Sequence, residues 1–265
     1  MSKFDNFDLN LLVTYCLGVK KMILDIYKDS LEYSAKDLKT LLILGVTYFL
    51  SFLLLPIFLI YGYSYRVTKI SVEGMINGND PLPEFDNIID MFVDGIKVVL
   101  VYLIYALVPL IIFFLFAAIS SSIGGYGESA LMAIGTVITV VLILFAYVMS
   151  MFGVAHMANN GDSLSKAFDY KEIIEIIKSV GVTRSLGAYI GLVIICSAIY
   201  AVVFFLILFV FGFFGIFTGT LGFAMAAGGI FVAGFFIAYL VMLFIVGPYT
   251  MIMQSRVSGL LYNLH

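Results

Sequence analysis

The sequence predicts an all-α, polytopic helical membrane protein, with about five transmembrane helices and two in-plane amphipathic helices. Three observations carry that prediction. The 265 residues are 63% hydrophobic, 16% aromatic and only 12% charged, where soluble domains carry about 25% charged residues. A mean hydropathy of +1.12 leaves too little polar surface to coat a water-soluble fold. Lastly, Asp, Glu, Lys, Arg and His are missing from four long stretches, 40–65, 98–127, 129–155 and 185–255.

Those gaps mark the spans, because an ionisable side chain at the bilayer centre costs at least about 2.5 kcal/mol. A helix needs about 20 residues to cross the hydrocarbon. The first three gaps then hold one span each and the last holds two. The expected spans are about 40–61, 98–120, 129–152, 186–212 and 223–250, forming a single transmembrane domain over 40–265. The last two are divided at Gly212, Gly215, Gly219 and Gly222, where glycine makes continued helix costly. Pro56 interrupts the first, which leaves a second reading open: a re-entrant hairpin that enters and leaves on one side.

Residues 1–39 read as an amphipathic amino-terminal segment. Leu12, Tyr15, Val19, Met22, Ile23 and Ile26 recur at helical spacing with Lys20, Lys21, Asp25 and Lys28 off that face, as in a helix lying on the membrane or on the bundle. Asp5 and Asp8 stand where a signal peptide would carry cations.

Cations set the orientation. Arg66, Lys69 and Lys97 precede span two; Lys166, Lys171, Lys178 and Arg184 precede span four; Arg256 follows span five. The turns after spans two and four carry none, so the long loops and the carboxyl terminus are expected in the cytoplasm of a multi-pass cell-membrane protein. Five spans would then put the six lysines of residues 1–39 outside, in conflict with the same rule; a re-entrant 40–61 removes the conflict.

An internal repeat runs through the long loops. Tyr61-Gly62 and Phe152-Gly153 are each followed by a polar turn, a Phe-Asp pair (Phe85-Asp86, Phe168-Asp169), a short amphipathic stretch and two spans. A two-span unit must repeat in one orientation, which predicts a parallel duplication of 62–152 on 153–247. In the first copy Phe85, Ile88, Ile89, Phe92 and Ile96 share one helical side, with Asp86, Asp90 and Asp94 opposite. In the second, Tyr170, Ile173, Ile174 and Ile177 share the apolar side.

Gly62-Tyr63-Ser-Tyr-Arg66, Leu82-Pro83-Glu84-Phe85-Asp86, Phe92-Val93-Asp94-Gly95 and the closing Gln254-Ser-Arg256-Val-Ser-Gly259-Leu-Leu-Tyr262 together resemble the uncharacterised membrane proteins grouped as domain of unknown function 4013, over about residues 30–264. The resemblance implies a multi-spanning protein of a prokaryotic cell membrane and carries over no functional residue.

Few residues offer chemistry. Asp86, Asp90 and Asp94 have i, i+4 spacing that could hold a divalent cation, and the competing reading is a solvated face. His156 has no second His near it in sequence, which favours a capping or interfacial role. Cys16 and Cys196 read as reduced, packed thiols. No catalytic residue and no cofactor is implied. A net charge of -3 excludes a basic nucleic-acid binder, leaving the lipid bilayer as partner. Gly187/Gly191, Ala224/Gly228 and Gly229/Ala233 are small-residue pairs that would seat a helix of the bundle or of a second subunit.

Three functions remain: a membrane scaffold, expected first; a permease or binding protein for an uncharged or lipidic solute; and an interfacial enzyme. A cavity of roughly 300 Å³ or more lined by Tyr102, Tyr105, Tyr147, Tyr189, Tyr200 or Tyr239 would bring solute binding to the front. An enzyme would bring Asp86, Asp90, His156 and Arg66 together.

Overall fold

The computed structural model describes the backbone from Leu9 and the side chains from Met22 to His265. Cys16 and the expected apolar positions Leu12, Tyr15 and Val19 lie outside the described side chains. Among the described residues there is no strand, and nine α-helices follow one another: α1 (Leu9–Ser34), α2 (Leu38–Phe49), α3 (Leu55–Glu73), α4 (Ile88–Ile123), α5 (Gly125–Asn159), α6 (Tyr170–Val180), α7 (Val182–Thr220), α8 (Ala224–Val241) and α9 (Gly247–Tyr262). A five-residue π-bulge, Met242–Val246, joins α8 to α9. Four helical stretches are long and apolar enough to cross a membrane: Ile88–Ile123, Gly125–Asn159, Val182–Thr220 and Ala224–Tyr262.

The expected first span is two helices. α2 has 12 residues, too few to cross, and a 3₁₀ turn ends at Leu54, whose φ of 66° breaks the helical path. Pro56 then occupies the first turn of α3, where its missing N–H is not needed. The chain reverses here, since Leu41, Leu44, Tyr63 and Val67 pack in one small core while Leu50 to Leu55 protrude at the tip. Asp37 opens α2 by accepting from the backbone N–H groups of Lys39 and Thr40 at 3.0 and 3.1 Å. α2 and α3 therefore fold back on each other as a helical hairpin.

The first Phe-Asp stretch also differs from expectation. It is no separate in-plane helix: residues 88–97 are the opening turns of α4, a 36-residue helix about 54 Å long at 1.5 Å per residue. Its inner stripe is Met91, Gly95, Val98, Val101 and Tyr105, whereas Ile88 and Ile89 are exposed. The cause is a backbone-to-backbone crossing. A Cβ on Gly62 would stand 1.8 Å from the Met91 carbonyl oxygen, and one on Gly95 1.7 Å from that of Phe58, so only glycine lets α3 and α4 meet there. The second Phe-Asp stretch does form its own helix, α6, burying Ile173 and Ile177 and ending at Gly181, whose φ is 103°.

Of the four glycines at the expected break, only the last ends α7. The helix continues through Gly212, Gly215 and Gly219 and turns at Leu221–Phe223, with Gly222 at φ 88°. Gly215 faces the Phe231 ring, and Gly234 of α8 faces Phe211, so helix–helix packing overrides propensity. α4 with α5, and α7 with α8, make two long hairpins, joined to each other chiefly through α5 and α7. Of the small-residue pairs, Gly191 seats Tyr27 of α1, while Gly187, Gly228 and Gly229 have open space beside them.

Candidate functional site

α1, the loops and the ends of α3, α5 and α9 meet at one polar end of the molecule. Arg256 of α9 is fully buried there. Its Nε donates to Asp29 Oδ1 at 2.8 Å, Nη2 lies 2.8 Å from Asp80 Oδ2, and its guanidinium stands 4.6 Å over the Tyr33 ring. Asp29 also accepts the Asn77 N–H at 2.6 Å. One buried cation thus ties α1 and the 74–87 loop to α9.

Next to it His156 is buried, with Nδ1 2.9 Å from the Tyr262 hydroxyl and Nε2 2.8 Å from Glu172. Lys166 donates to both Glu172 oxygens at 2.9 and 2.8 Å. Lys166, and then His156, hold the Glu172 carboxyl below the usual carboxylate range. This cluster fastens α6 to α5 and α9.

The residues singled out from sequence are dispersed. Asp86 pairs with Arg66 at 2.8 Å, where Arg66 also donates to the carbonyls of Glu84 and Asn87 at 3.1 and 3.2 Å and pins the start of α4. Asp94 pairs with Lys97 at 3.2 Å, and Asp90 is exposed. Among the described residues no group of three or more His, Cys, Asp or Glu is placed to hold a metal ion. His156 joins Glu172, not Arg66 or the aspartates. Cys196 is buried, as expected of a packed thiol.

The feature with binding geometry is a partly open cavity of about 390 Å³ between α3, α4, α5 and α9. Tyr61, Ser64 and Thr68 come from α3, Tyr102, Tyr105 and Pro109 from α4, Tyr147 and Ser150 from α5, and Gln254, Ser255 and Ser258 from α9. None of its lining residues is charged. Some polar groups satisfy each other: Ser64 and Ser255 hydroxyls lie 2.8 Å apart, Tyr105 donates to the Ala167 carbonyl at 2.9 Å, and Tyr147 reaches Gln254 Oε1 at 3.4 Å. The Tyr61 and Tyr102 rings sit 5.8 Å apart, and their hydroxyls find no hydrogen-bond partner among the described residues. Pro109 has no N–H to give the Tyr105 carbonyl one turn back, which adds an acceptor at the wall. Towards the polar end, buried Thr68, Val154 and Ser258 close the cavity.

Sequence reasoning anticipated Tyr102, Tyr105 and Tyr147 as lining residues. It placed Tyr189 there too; its ring instead lies tilted against Tyr147, 4.4 Å away. Tyr200 lines a neighbouring groove and Tyr239 is exposed. It missed Tyr61, Ser64, Gln254 and Ser255. The available signal was polar residues at helical spacing on otherwise apolar segments, Tyr61/Ser64/Thr68 and Gln254/Ser258, together with their place in the motifs Gly62–Arg66 and Gln254–Tyr262.

Fold and site define a polytopic helical membrane protein with an uncharged, tyrosine-rich cavity between its helices. The chain belongs to the family described as "Protein of unknown function (DUF4013)", which it matches over residues 49–211. That stretch contains α3 to α5 and stops before the α9 wall of the cavity. No curated protein and no solved structure matches the chain.

Proposed function

We propose that the protein binds, and in binding carries, an uncharged or lipidic solute in this cavity. The observation that supports the reading is a space of about 390 Å³, within the size range of ligand pockets, that presents the partnerless hydroxyls of Tyr61 and Tyr102 and contains no charge. These hydroxyls have no protein partner, so a solute oxygen can accept from both without displacing an existing hydrogen bond. An ion would lose its hydration and find no counter-charge. We place the polar end in the cytoplasm, because with 40–61 as a hairpin every long cation-bearing segment shares that end. The scaffold reading comes second. It draws support from the two long apolar hairpins exposed along most of their length.

The test is retention of a neutral lipid, monoolein, by purified protein in nanodiscs, read by native mass spectrometry. One equivalent should stay bound, and the isosteric double variant Tyr61→Phe/Tyr102→Phe should weaken retention by about tenfold or more, each lost hydrogen bond being worth about 1 kcal/mol. Retention that is absent, or unchanged in the double variant, rejects the reading.

A further inference from the structure

The Gln254 side chain borders two spaces. On one side is the tyrosine-lined cavity; on the other is a groove of about 590 Å³ between α7 and the π-bulge. Its amide is held from both sides by long contacts, 3.4 Å to the Tyr147 hydroxyl and 3.7 Å to Cys196 Sγ. The first is long for a neutral pair and the second ends on sulfur, a weak acceptor, so the partition between the two spaces is one weakly tethered side chain.

The groove differs in character from the cavity. Val193, Tyr200, Ala201, Phe204 and Met242 make most of its wall, and Val193 and Tyr200 are 44% and 38% exposed, so it opens on the apolar exterior of the bundle. A π-bulge widens the helix locally, a distortion frequent at functional sites, and here it begins at Met242, on the groove wall.

We infer that cavity and groove are the two halves of one site for a neutral amphiphile, its uncharged hydroxyl- or carbonyl-bearing head among Tyr61 and Tyr102, and its hydrocarbon chain passing Gln254 to leave through the groove. The inference rests on the solute-binding reading above and adds the ligand class and the route. Buried Thr68, Val154 and Ser258 close the polar end of the cavity, so a water-borne solute has no path from there, whereas a lipid already in the bilayer meets the open groove. Selection falls on the head: bilayer hydrocarbon is as apolar as the groove wall, so the chain gains little by moving from one to the other, while the head exchanges hydrocarbon surroundings for hydrogen-bond donors.

The experiment uses the full chain in nanodiscs and a monoacylglycerol carrying a diazirine in mid-chain, photolysed with and without excess monoolein, with labelled peptides mapped by mass spectrometry. Saturable labelling is expected within Val193–Phe204 and at Met242. It should fall about tenfold or more in Tyr61→Phe/Tyr102→Phe, although neither residue lines the groove. A probe of the same chain length with a carboxylate head should not compete. Retained monoolein whose chain labels other helices overturns the two-part site and leaves the solute-binding reading standing. Groove labelling that survives the double variant undiminished, or yields to the carboxylate as readily as to monoolein, shows an independent lipid groove and also overturns it. Loss of both saturable labelling and retention rejects the solute-binding reading itself.

Discussion

Arg256 shows how one residue can hold three segments. With its guanidinium gone, Asp29, 5% exposed, is left as a buried charge without its ion pair, a loss of about 3–5 kcal/mol. Arg256→Met should therefore lower unfolding stability in detergent by that amount, and adding Asp29→Asn should recover a large part, because the cost lies in the orphaned charge. A urea or SDS unfolding series reads both. The carboxylates that fasten the loops have a pH signature. Burial pushes Asp162 up, but hydrogen bonds from Lys69 and Tyr65 outweigh it and leave the pKa lowered; Glu172 is lowered by Lys166 and His156. A depressed carboxylate contributes stability that is present above its unfolded value and lost as pH falls through the folded one. Amide hydrogen exchange across Tyr170–Val180, corrected for its intrinsic pH dependence, should speed up as pH drops below the ordinary carboxylate range of about 4. Unchanged protection at acid pH would show that apolar packing of Ile173 and Ile177 alone holds α6.

At the scale of elements, the α3–α4 crossing decides the interior. Gly95 brings the two backbones together, and a methyl there meets a carbonyl oxygen that cannot move aside as a flexible side chain would. Gly95→Ala should destabilise by about 1–3 kcal/mol or more. Gly187→Ala, in a helix with open space beside it, should be neutral or stabilising by up to about 1 kcal/mol from helix propensity. Thermal unfolding of the pair tests whether contact or propensity governs these glycines. The crossing also explains why the two Phe-Asp stretches differ. The first is continuous with its span because α3 lies along it; the second ends at Gly181, which frees α6 to pack on α5 and α9.

For the whole molecule, the hairpin at 50–54 sets the parity of the chain. If the four long apolar stretches each cross once, the segment before α2, both long loops and the carboxyl terminus share one side, in keeping with the contacts at that end, where Lys36 donates to the Asp80 carbonyl at 2.8 Å and Lys69 pairs with Asp162 at 2.7 Å. Single cysteines at Lys36 and Asn160, in a chain lacking Cys16 and Cys196, should react with an impermeant maleimide from the same side, and one at Ser122 from the opposite side. Labelling of residue 36 from the side of residue 122 would mean that 40–61 crosses the membrane after all.

By itself, the sequence determined that the chain is helical and lives in a bilayer, because charge-free stretches of this length have no stable alternative in hydrocarbon or in water. It placed the α4–α5 turn, where Gly124 and Gly125 take φ of 69° and 60°, and the separate α6, where apolar residues recur at helical spacing. It named three of the cavity tyrosines. Tertiary structure decided the rest. Hydropathy reads length and charge, so it left crossing and hairpin open over 40–61, and the pairing of Leu41 and Leu44 with Tyr63 and Val67 chose the hairpin. Periodicity set Ile88 and Ile89 on the membrane-facing side of a separate in-plane helix, and the glycine contact between α3 and α4 made that stretch the opening turns of α4. His156 looked solitary because its partners lie 16 and 106 residues away along the chain. The cavity itself has no local signature, since a space between α3, α4, α5 and α9 exists only once Tyr61 and Gln254, 193 positions apart in sequence, face the same void.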